Sequence, residues 1–271
     1  NTLCTVGTVG QFKTVTAVVG FNKRGLMAAL LNFHDAVLYT RDVKNFEVGN
    51  WLNDACIGFC LRHMEYVEFP NSPFILFMDP SVVSLIKVQY MDEEDLAGIS
   101  RGLQLQSRKL LIVPTNDNNS FEEASSHWSL LVIDVVNKLS YHFDSCRPKN
   151  SEAATVTFER MKPLLNWNSY QPVRDIVDSP QQTNGYDCGV YACLCAQLFA
   201  ASPLLSVLLK EGECDSKGGE SSEETSTVTR VDSIAKSISA TVTPALATSF
   251  RADSINTIHK LSAEYLSNKK A

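Results

Sequence analysis

Apolar positions recur along the chain at two spacings, and each spacing predicts a different kind of element. Continuous or alternating apolar runs, typical of buried strands, occupy residues 109–113, 128–136, 139–143 and 173–177. Apolar residues three or four positions apart, typical of amphipathic helices, recur over 55–67, 152–165 and 243–266. Because strands and helices are mixed rather than strictly alternating, the pattern predicts an α+β fold.

One polar, turn-prone segment passes directly into a helix that is predicted to be buried. The segment 181–187 precedes Cys188, and the run 190–199 that follows is largely apolar. Cys188 is therefore predicted to lie at the first turn of this helix, where unpaired backbone N–H groups and the helix dipole stabilise a thiolate. The alternative is that Cys188 is a small core residue, as most free cysteines in such chains are.

The composition changes at two places and so suggests the domain organisation. Residues 1–26 carry Gly, Thr and Val without a strong period and are predicted to be a disordered leader or a fragment end. Residues 211–230 are rich in Gly, Ser, Thr and acidic residues and are predicted to be a disordered insertion. This leaves one domain over 27–210 and a C-terminal helical segment over 231–271 that docks onto it.

Charge and cysteine content argue against some classes of protein and indicate the cellular compartment. The chain has 271 residues and a formal net charge of -6, and its Lys and Arg residues form no cluster, which argues against a nucleic-acid or membrane surface. The apolar stretch 15–21 is too short to span a bilayer. Eight cysteines in a chain this long are typical of reduced thiols, so the cytosol or the nucleus is the expected compartment.

A cysteine nucleophile needs a base and a group that orients the base. His127 enters the first strand of a predicted hairpin and Asp144 leaves the second, so the turn of the hairpin brings the two residues close together. Each has an ordinary alternative, His127 as a core or surface histidine and Asp144 as a turn residue. Their coincidence with a cysteine at a helix start predicts a triad of Cys188, His127 and Asp144.

The amide-rich segment before Cys188 offers a donor for an oxyanion. The side-chain N–H₂ of Gln182 or of Gln181 can stabilise the negative oxygen of a tetrahedral intermediate, together with the backbone N–H of Cys188. The spacing does not choose between the two glutamines.

Cys56, Cys60 and His63 share one face of the predicted helix over 55–67 and resemble a partial metal site. The sequence offers no second Cys or His pair at zinc-like spacing to complete it. These three residues are therefore predicted to be core residues.

Three sequence blocks resemble the catalytic blocks of the Ulp/sentrin-specific protease family, cysteine proteases of ubiquitin-like modifiers. They are His127-Trp128-Ser129-Leu130, Phe143-Asp144-Ser145 and Gln182-Thr183-Asn184-Gly185-Tyr186-Asp187-Cys188-Gly189, and a fourth block, Trp51-Leu52-Asn53-Asp54, resembles a further signature. The resemblance covers roughly residues 30–205 and the tail near 243–266. It implies a papain-like fold with a central mixed sheet and the nucleophile at the N terminus of a central helix.

The resemblance also implies the role of each residue. Cys188 is the nucleophile, His127 is the base and Asp144 orients the base. Because the glutamine of the family stands six positions before the cysteine, Gln182 rather than Gln181 is the oxyanion donor. No cofactor or metal is expected.

The loop before His127 indicates the substrate. Residues 116–126 form a longer connection than in SUMO-directed members, and this Asn/Asp-rich loop resembles the deneddylase branch of the family. The implied substrate is a Nedd/Rub-type modifier, cleaved after its C-terminal diglycine, and its conjugates such as cullins, and the enzyme is expected to act as a monomer. A SUMO- or ubiquitin-directed isopeptidase and a noncatalytic modifier-binding module remain as alternatives.

Four residues are predicted to contact the modifier. A diglycine tail suits a cleft between two aromatic walls, for which Trp51 and Trp128 are the candidates, with core packing as the alternative for both. Asp54 is predicted to pair with an arginine near the tail, although it also suits a helix N-cap, and the two roles are compatible. Asn116, at the start of the long loop, completes the set.

Overall fold

The computed structural model describes residues 29–168, 171–205 and 220–268. The strands are β1 (Leu31–Phe33), β2 (Ala36–Leu38), β3 (Ile75–Phe77), β4 (Leu110–Asn116), β5 (Trp128–Asp134), β6 (Leu139–Phe143) and β7 (Val173–Asp175). The α-helices are α1 (Thr40–Val43), α2 (Asp54–His63), α3 (Pro80–Val88), α4 (Glu93–Gly102), α5 (Ser151–Met161), α6 (Cys188–Ala200), α7 (Glu220–Thr241) and α8 (Pro244–Asn268). Shorter helical turns cover Lys44–Phe46, Met64–Glu68, Leu105–Ser107 and Lys162–Leu165.

A mixed five-stranded sheet lies at the centre of the protein, with strand order β3-β4-β5-β6-β7. The strands β3 and β4 are parallel, as are β6 and β7, whereas β5 runs antiparallel to both of its neighbours. The predicted hairpin is present, because β5 pairs with β6 from Leu130 opposite Phe143 to Asp134 opposite Leu139. This register places the start of β5 beside the end of β6, where the candidate base and carboxylate lie.

Helices cover both faces of the sheet, which explains why β4 and β5 are buried along their whole length. Side chains alternate between the faces. On β5, Leu130 and Val132 face α2, α6, α7 and α8, whereas Leu131 and Ile133 face α3, α4 and α5. The sheet is therefore enclosed between two layers of helices, which agrees with the predicted α+β fold.

The helix α6 passes through the core of one layer and fixes the position of Cys188. All of its residues except Gln197 and Leu198 are buried. A side chain at Gly189 would come within 3.0 Å of Leu52 and 3.1 Å of Ile57, so the absence of one lets α6 approach α2 closely. The first turn of α6 is thus held against the start of α2.

Two predicted boundaries differ from the structure. The strand predicted over residues 109–113 continues through Pro114 to Asn116. This is possible because β3 pairs with β4 no further than Ile112, so β3 needs no hydrogen bond from the N–H that Pro114 lacks. The side chain that caps α2 belongs to Asn53, which accepts a hydrogen bond from the N–H of Cys56 at 3.0 Å, and not to Asp54, which is the first helical residue.

The C-terminal part also differs from the prediction. The predicted leader, residues 1–26, and residues 211–219 of the predicted disordered insertion lie outside the described residues. Residues 220–230, however, form the first half of α7. The helix is long enough to reach the core, where Val231, Ile234 and Ile238 are buried, so its packed second half stabilises the polar first half. Across the described ranges, no helix has an apolar stretch that would span a membrane.

Candidate active site

His127 and Asp144 meet at one end of the β5–β6 hairpin. Nε2 of His127 donates a hydrogen bond to Oδ1 of Asp144 at 2.6 Å, and both side chains are almost completely buried. The carboxylate also accepts hydrogen bonds from the backbone N–H of Cys146 and of Asn150, each at 2.9 Å. Burial raises the pKa of Asp144, but these hydrogen bonds outweigh it and hold the pKa below its usual value.

Cys188 completes the predicted set from the first turn of α6. Its thiol interacts electrostatically with the imidazole of His127, whose Nε2 binds Asp144, so Nδ1 is the ring nitrogen left for the sulfur. By itself, burial lowers the pKa of His127, but the hydrogen bonds and charges of Asp144 and Cys188 raise it to about 9. The ring is therefore protonated at neutral pH and lies between two partners that favour its positive charge.

Two residues that sequence reasoning missed hold the backbone of His127 in place. Asp117 accepts hydrogen bonds from the backbone N–H of His127 at 3.1 Å and from Ser125 and Ser126. Burial raises the pKa of Asp117, but these donors lower it to about 2. Asn150 is fully buried and its side chain donates to the carbonyl of His127 at 3.3 Å and to Ser129 at 3.1 Å. In the sequence, Asp117 is one of several polar residues in the loop before His127, and no local pattern distinguishes it from the others as a contact of His127.

The two glutamines have different partners. Gln181 donates a hydrogen bond to the carbonyl of Asp144 at 2.8 Å, so it braces the carboxylate-bearing segment. Gln182 lies closer along the chain to the nucleophile, and its side-chain amide donates to the carbonyl of Asn184 at 2.6 Å while accepting from Ser145 at 2.7 Å. Gln182 is therefore held at both ends, which fixes an N–H₂ donor in the segment that leads to Cys188.

The two candidate tryptophans differ in exposure. Trp51 is 52% exposed, and its indole N–H donates to the carbonyl of Gly185 at 2.8 Å, three residues before the thiol. Trp128 is 5% exposed, and its indole N–H donates to the carbonyl of Leu52 at 3.0 Å. Trp51 thus offers an exposed aromatic surface next to the segment that leads to Cys188, whereas the buried Trp128 supports the backbone of Leu52, the residue after Trp51.

Asp54 and Asn116 line one cavity of about 320 Å³ between the start of α2, α3 and the loop before His127. Partial burial and the charge of nearby Asp79 raise the pKa of Asp54. Asn116 is buried, and its backbone carbonyl accepts from the ammonium of the buried Lys87 at 2.7 Å. The cavity wall also carries Glu123, so its polar lining suits a cationic side chain.

The predicted metal-like trio is part of the core and its rim. Cys56 is fully buried, and its thiol donates to the carbonyl of Asp42 at 3.3 Å. Cys60 is also buried, and neighbouring Cys193 of α6 together with this burial raises the pKa of the Cys60 thiol well above its usual value. His63 binds Glu68 at 3.1 Å. Cys56 and Cys60 are therefore core residues as predicted, whereas His63 is partly exposed and lies at the rim, so the prediction of a core residue is wrong for His63.

Thiolate chemistry follows from these contacts. A cysteine at a helix N terminus, an imidazolium that faces its sulfur and a carboxylate that fixes the ring are the groups that a thiol protease needs to form and resolve an acyl-enzyme. The central mixed sheet and the buried central helix that begins at the nucleophile form the papain-like fold predicted above. The fold and the site together define the class of cysteine proteases.

Comparison with known proteins agrees with this class and also identifies the family. Residues 50–218 match the Ulp1 protease family, C-terminal catalytic domain, and the chain belongs to this family. It is similar to sentrin-specific protease 8 of Rattus norvegicus, with 31% identity over 180 residues, which are 64% of this chain and 82% of the relative. It is also similar to NEDD8-specific protease 1 of Arabidopsis thaliana, with 33% identity over 171 residues, which are 62% of this chain and 74% of the relative.

A solved structure shares the fold. The crystal structure of a de-sumoylating protease matches with a TM-score of 0.55 and 18% identity, and the match covers 86% of this chain and 90% of that one. The family and the fold class predicted from the sequence are thus confirmed.

Proposed function

We propose that this cysteine protease cleaves after the C-terminal diglycine of a ubiquitin-like modifier of the Nedd8 type. The observation that carries the proposal is the buried imidazole of His127, which is hydrogen-bonded to Asp144 and whose pKa is raised by both Asp144 and Cys188. The choice of modifier is supported by a relative whose name specifies it, NEDD8-specific protease 1 of Arabidopsis thaliana.

Each group has a role in the reaction. The thiolate of Cys188 attacks the carbonyl carbon of the terminal glycine, and the negative oxygen that forms accepts hydrogen bonds from the Gln182 amide and the Cys188 backbone N–H. The C–N bond breaks as protonated His127 gives its proton to the leaving amine. The imidazole then removes a proton from water, whose hydroxide releases the modifier from the thioester and regenerates the thiolate.

The contacts near the thiol support recognition of an extended tail. Trp51 presents an exposed aromatic face beside Cys188, and a glycine pair would pass along it because neither residue has a side chain. Asp54 and Glu123 line the nearby cavity and supply negative charge for a basic residue that precedes the glycines. Asn116 contributes an amide to the same wall. Trp128, being buried, would act by supporting Leu52 beneath the cleft.

The experiment is a panel of three fluorogenic C-terminal amides, derived from Nedd8, SUMO and ubiquitin. We expect the Nedd8 reporter to be cleaved with the highest kcat/KM. Cys188→Ala should lower turnover on the order of 10⁴-fold or more. The matched control is Cys193→Ala, which removes another buried thiol from α6 and should leave turnover in place.

The alternatives give different results in the same panel. Preferential cleavage of the SUMO or ubiquitin reporter would refute the choice of modifier but retain the mechanism. Saturable binding of the modifiers without cleavage would instead identify a noncatalytic binding module. We further propose that cullin conjugates are substrates and that the enzyme is a monomer, which a Nedd8–cullin cleavage assay and light scattering test directly.

A further inference from the structure

We infer that Arg251, on the C-terminal helix α8, is a positioning residue of the active site. It holds the segment before Cys188 and the segment before Trp51 in a fixed arrangement. The inference deepens the proposed function and rests on it for its turnover measurement, but it also has a measurement that needs no substrate.

Arg251 is far from the triad along the chain and is almost completely buried, with 2% exposure. Its Nε and Nη2 lie 2.8 and 2.7 Å from Oδ1 of Asp187, the residue that directly precedes Cys188. The other carboxylate oxygen of Asp187 accepts from the side chain of Asn184 at 2.7 Å. The ion pair therefore ties α8 to the loop that delivers the nucleophile.

The guanidinium also binds four backbone carbonyls from two separate segments. Nη1 donates to the carbonyls of Asn45 and Glu47 at 3.0 and 3.2 Å. Nη2 donates to the carbonyl of Asn50 at 2.9 Å and to that of Tyr186 at 3.1 Å. Asn50 directly precedes Trp51. One side chain thus fixes the backbone immediately before the exposed tryptophan and immediately before the nucleophile.

An arginine suits this position better than a lysine. Five N–H donors in a planar fork reach acceptors in several directions, whereas an ammonium group has three donors at a single point. The charge is buried, but Asp187 pairs with it, so removal of the guanidinium would leave an uncompensated buried carboxylate one residue from the Cys188 sulfur. That carboxylate would repel a thiolate, and the two carbonyl-bearing segments would lose their shared donor.

The first test compares Arg251→Met and Arg251→Lys with the wild type, using the Nedd8 reporter. We expect kcat to fall about 10- to 100-fold in Arg251→Met, since a displacement of about 1 Å at a reacting group is enough for such a loss. Arg251→Lys should lose less, because it keeps the charge opposite Asp187. Equal losses in both variants would contradict a role for the charge pair.

The second test needs no modifier and measures the rate of Cys188 alkylation by chloroacetamide at pH 7. The exposed Cys146 serves as an internal reference, read by peptide mapping. In Arg251→Met the alkylation rate of Cys188 should fall about tenfold relative to that of Cys146. If the wild type cleaves no modifier, the proposed function fails, yet the alkylation ratio still tests the role of Arg251.

A matched control distinguishes a positioning role of Arg251 from a general contribution of α8 to stability. Ile258 is fully buried on the same helix, so Ile258→Ala weakens the packing of α8 without removing any of the Arg251 hydrogen bonds. At a temperature where both variants are fully folded by circular dichroism, Ile258→Ala should keep kcat within about threefold of wild type, since it leaves the reacting groups in place. A loss of kcat in Ile258→Ala equal to that in Arg251→Met would overturn the inference.

A double-variant cycle keeps the test valid if Arg251→Met does not fold. Asp187→Asn and Arg251→Lys are each conservative in size, and both weaken the same ion pair. If Arg251 acts through Asp187, the double variant should lose no more kcat than the worse single variant. Losses that multiply would show that the two residues act independently and would contradict the inference.

Discussion

The two sides of the active site are held together by contacts of very different range. On the side of the base, the His127–Asp144 pair joins residues 17 positions apart, and Asp117 binds the His127 backbone from 10 positions away. On the side of the nucleophile, Arg251 reaches Asp187 across 64 positions and Asn45 across 206, and Trp51 reaches Gly185 across 134.

Because of this difference, the geometry of the base side depends on the sheet, whereas the geometry of the nucleophile side depends on how distant elements dock. His127 and Asp144, the proposed base and its carboxylate, lie at the ends of one hairpin, so their geometry follows from strand register. The thiol lies where α6, the Trp51 segment and α8 meet, so its surroundings depend on how helices pack. Changes in the sheet should therefore affect proton transfer, and changes in α8 should affect the thiol and the cleft.

After the loss of the thiol itself, the largest expected effect is on the base side. His127→Ala removes the group that carries the proton and should lower kcat by about 10³- to 10⁴-fold. The matched control is His142 on β6, which forms a second His–Asp pair with Asp175 at 2.6 Å. Steady-state kinetics and thermal unfolding are measured for both variants. His142→Asn should lower the melting temperature with only a small change in kcat. A loss of kcat in His142→Asn comparable to that in His127→Ala would contradict the assignment of His127 as the base.

The next effect lies on the nucleophile side and separates the two glutamines. Gln182→Ala should lower kcat by about 10²- to 10³-fold with little change in KM, because an oxyanion donor acts mainly in the transition state. Gln181→Ala loses the hydrogen bond to the Asp144 carbonyl and should cost about tenfold, as a displaced catalytic group does. The reverse order would show that Gln181 is the oxyanion donor.

The pH dependence of activity reports on the protonation of His127, the residue that joins the two sides of the active site. Because the pKa of His127 is raised to about 9, kcat/KM should fall about tenfold per pH unit above pH 9, as the imidazolium loses its proton. The free energy of unfolding should depend on the protonation of His127 as well. Its contribution is fully present below the ordinary value of 6.5 and is lost as the pH rises through about 9. Rate and urea-unfolding profiles from pH 6 to 10 check both statements, and a basic limb near pH 7 would contradict them.

The smallest expected effect concerns the cleft. Trp51→Ala should raise KM about tenfold, since it removes the aromatic surface as well as the hydrogen bond to Gly185. Trp51→Phe keeps an aromatic ring and loses about 1 kcal/mol of hydrogen bonding, so its KM should rise about fivefold or less. Initial-rate measurements over a range of reporter concentrations separate KM from kcat. If both variants changed kcat and left KM alone, Trp51 would be a support of the loop rather than a wall of the cleft.

Much of the fold and the positions of the triad could be read from the sequence, because they depend on local patterns. The apolar periods predicted the hairpin and the central helix, and His127, Asp144 and Cys188 each lie at the boundary of a predicted element. Once the hairpin register was fixed, the contact between His127 and Asp144 followed from the pairing of β5 with β6.

Other features could not be predicted, because they depend on neighbours that the local sequence does not specify. Pro114 lies within a strand because β3 is short, and residues 220–230 are helical because the second half of α7 is packed. Arg251 shares a face of α8 with the buried Ala247 and Ile258, and a charge at an apolar position was the available signal. Its acceptors, however, come from two other parts of the chain.

The sequence by itself determined which groups we propose to react, since residue type and element boundaries placed a thiol at a helix start and an imidazole beside a carboxylate. The tertiary structure decided how these groups are held and approached. It buried Trp128 and exposed Trp51, although each lies within one of the family-like sequence blocks, and it placed Arg251 in contact with Asp187. The physical reason is that burial and long-range hydrogen bonds depend on which surfaces meet on folding, and a local pattern records only one of the two surfaces.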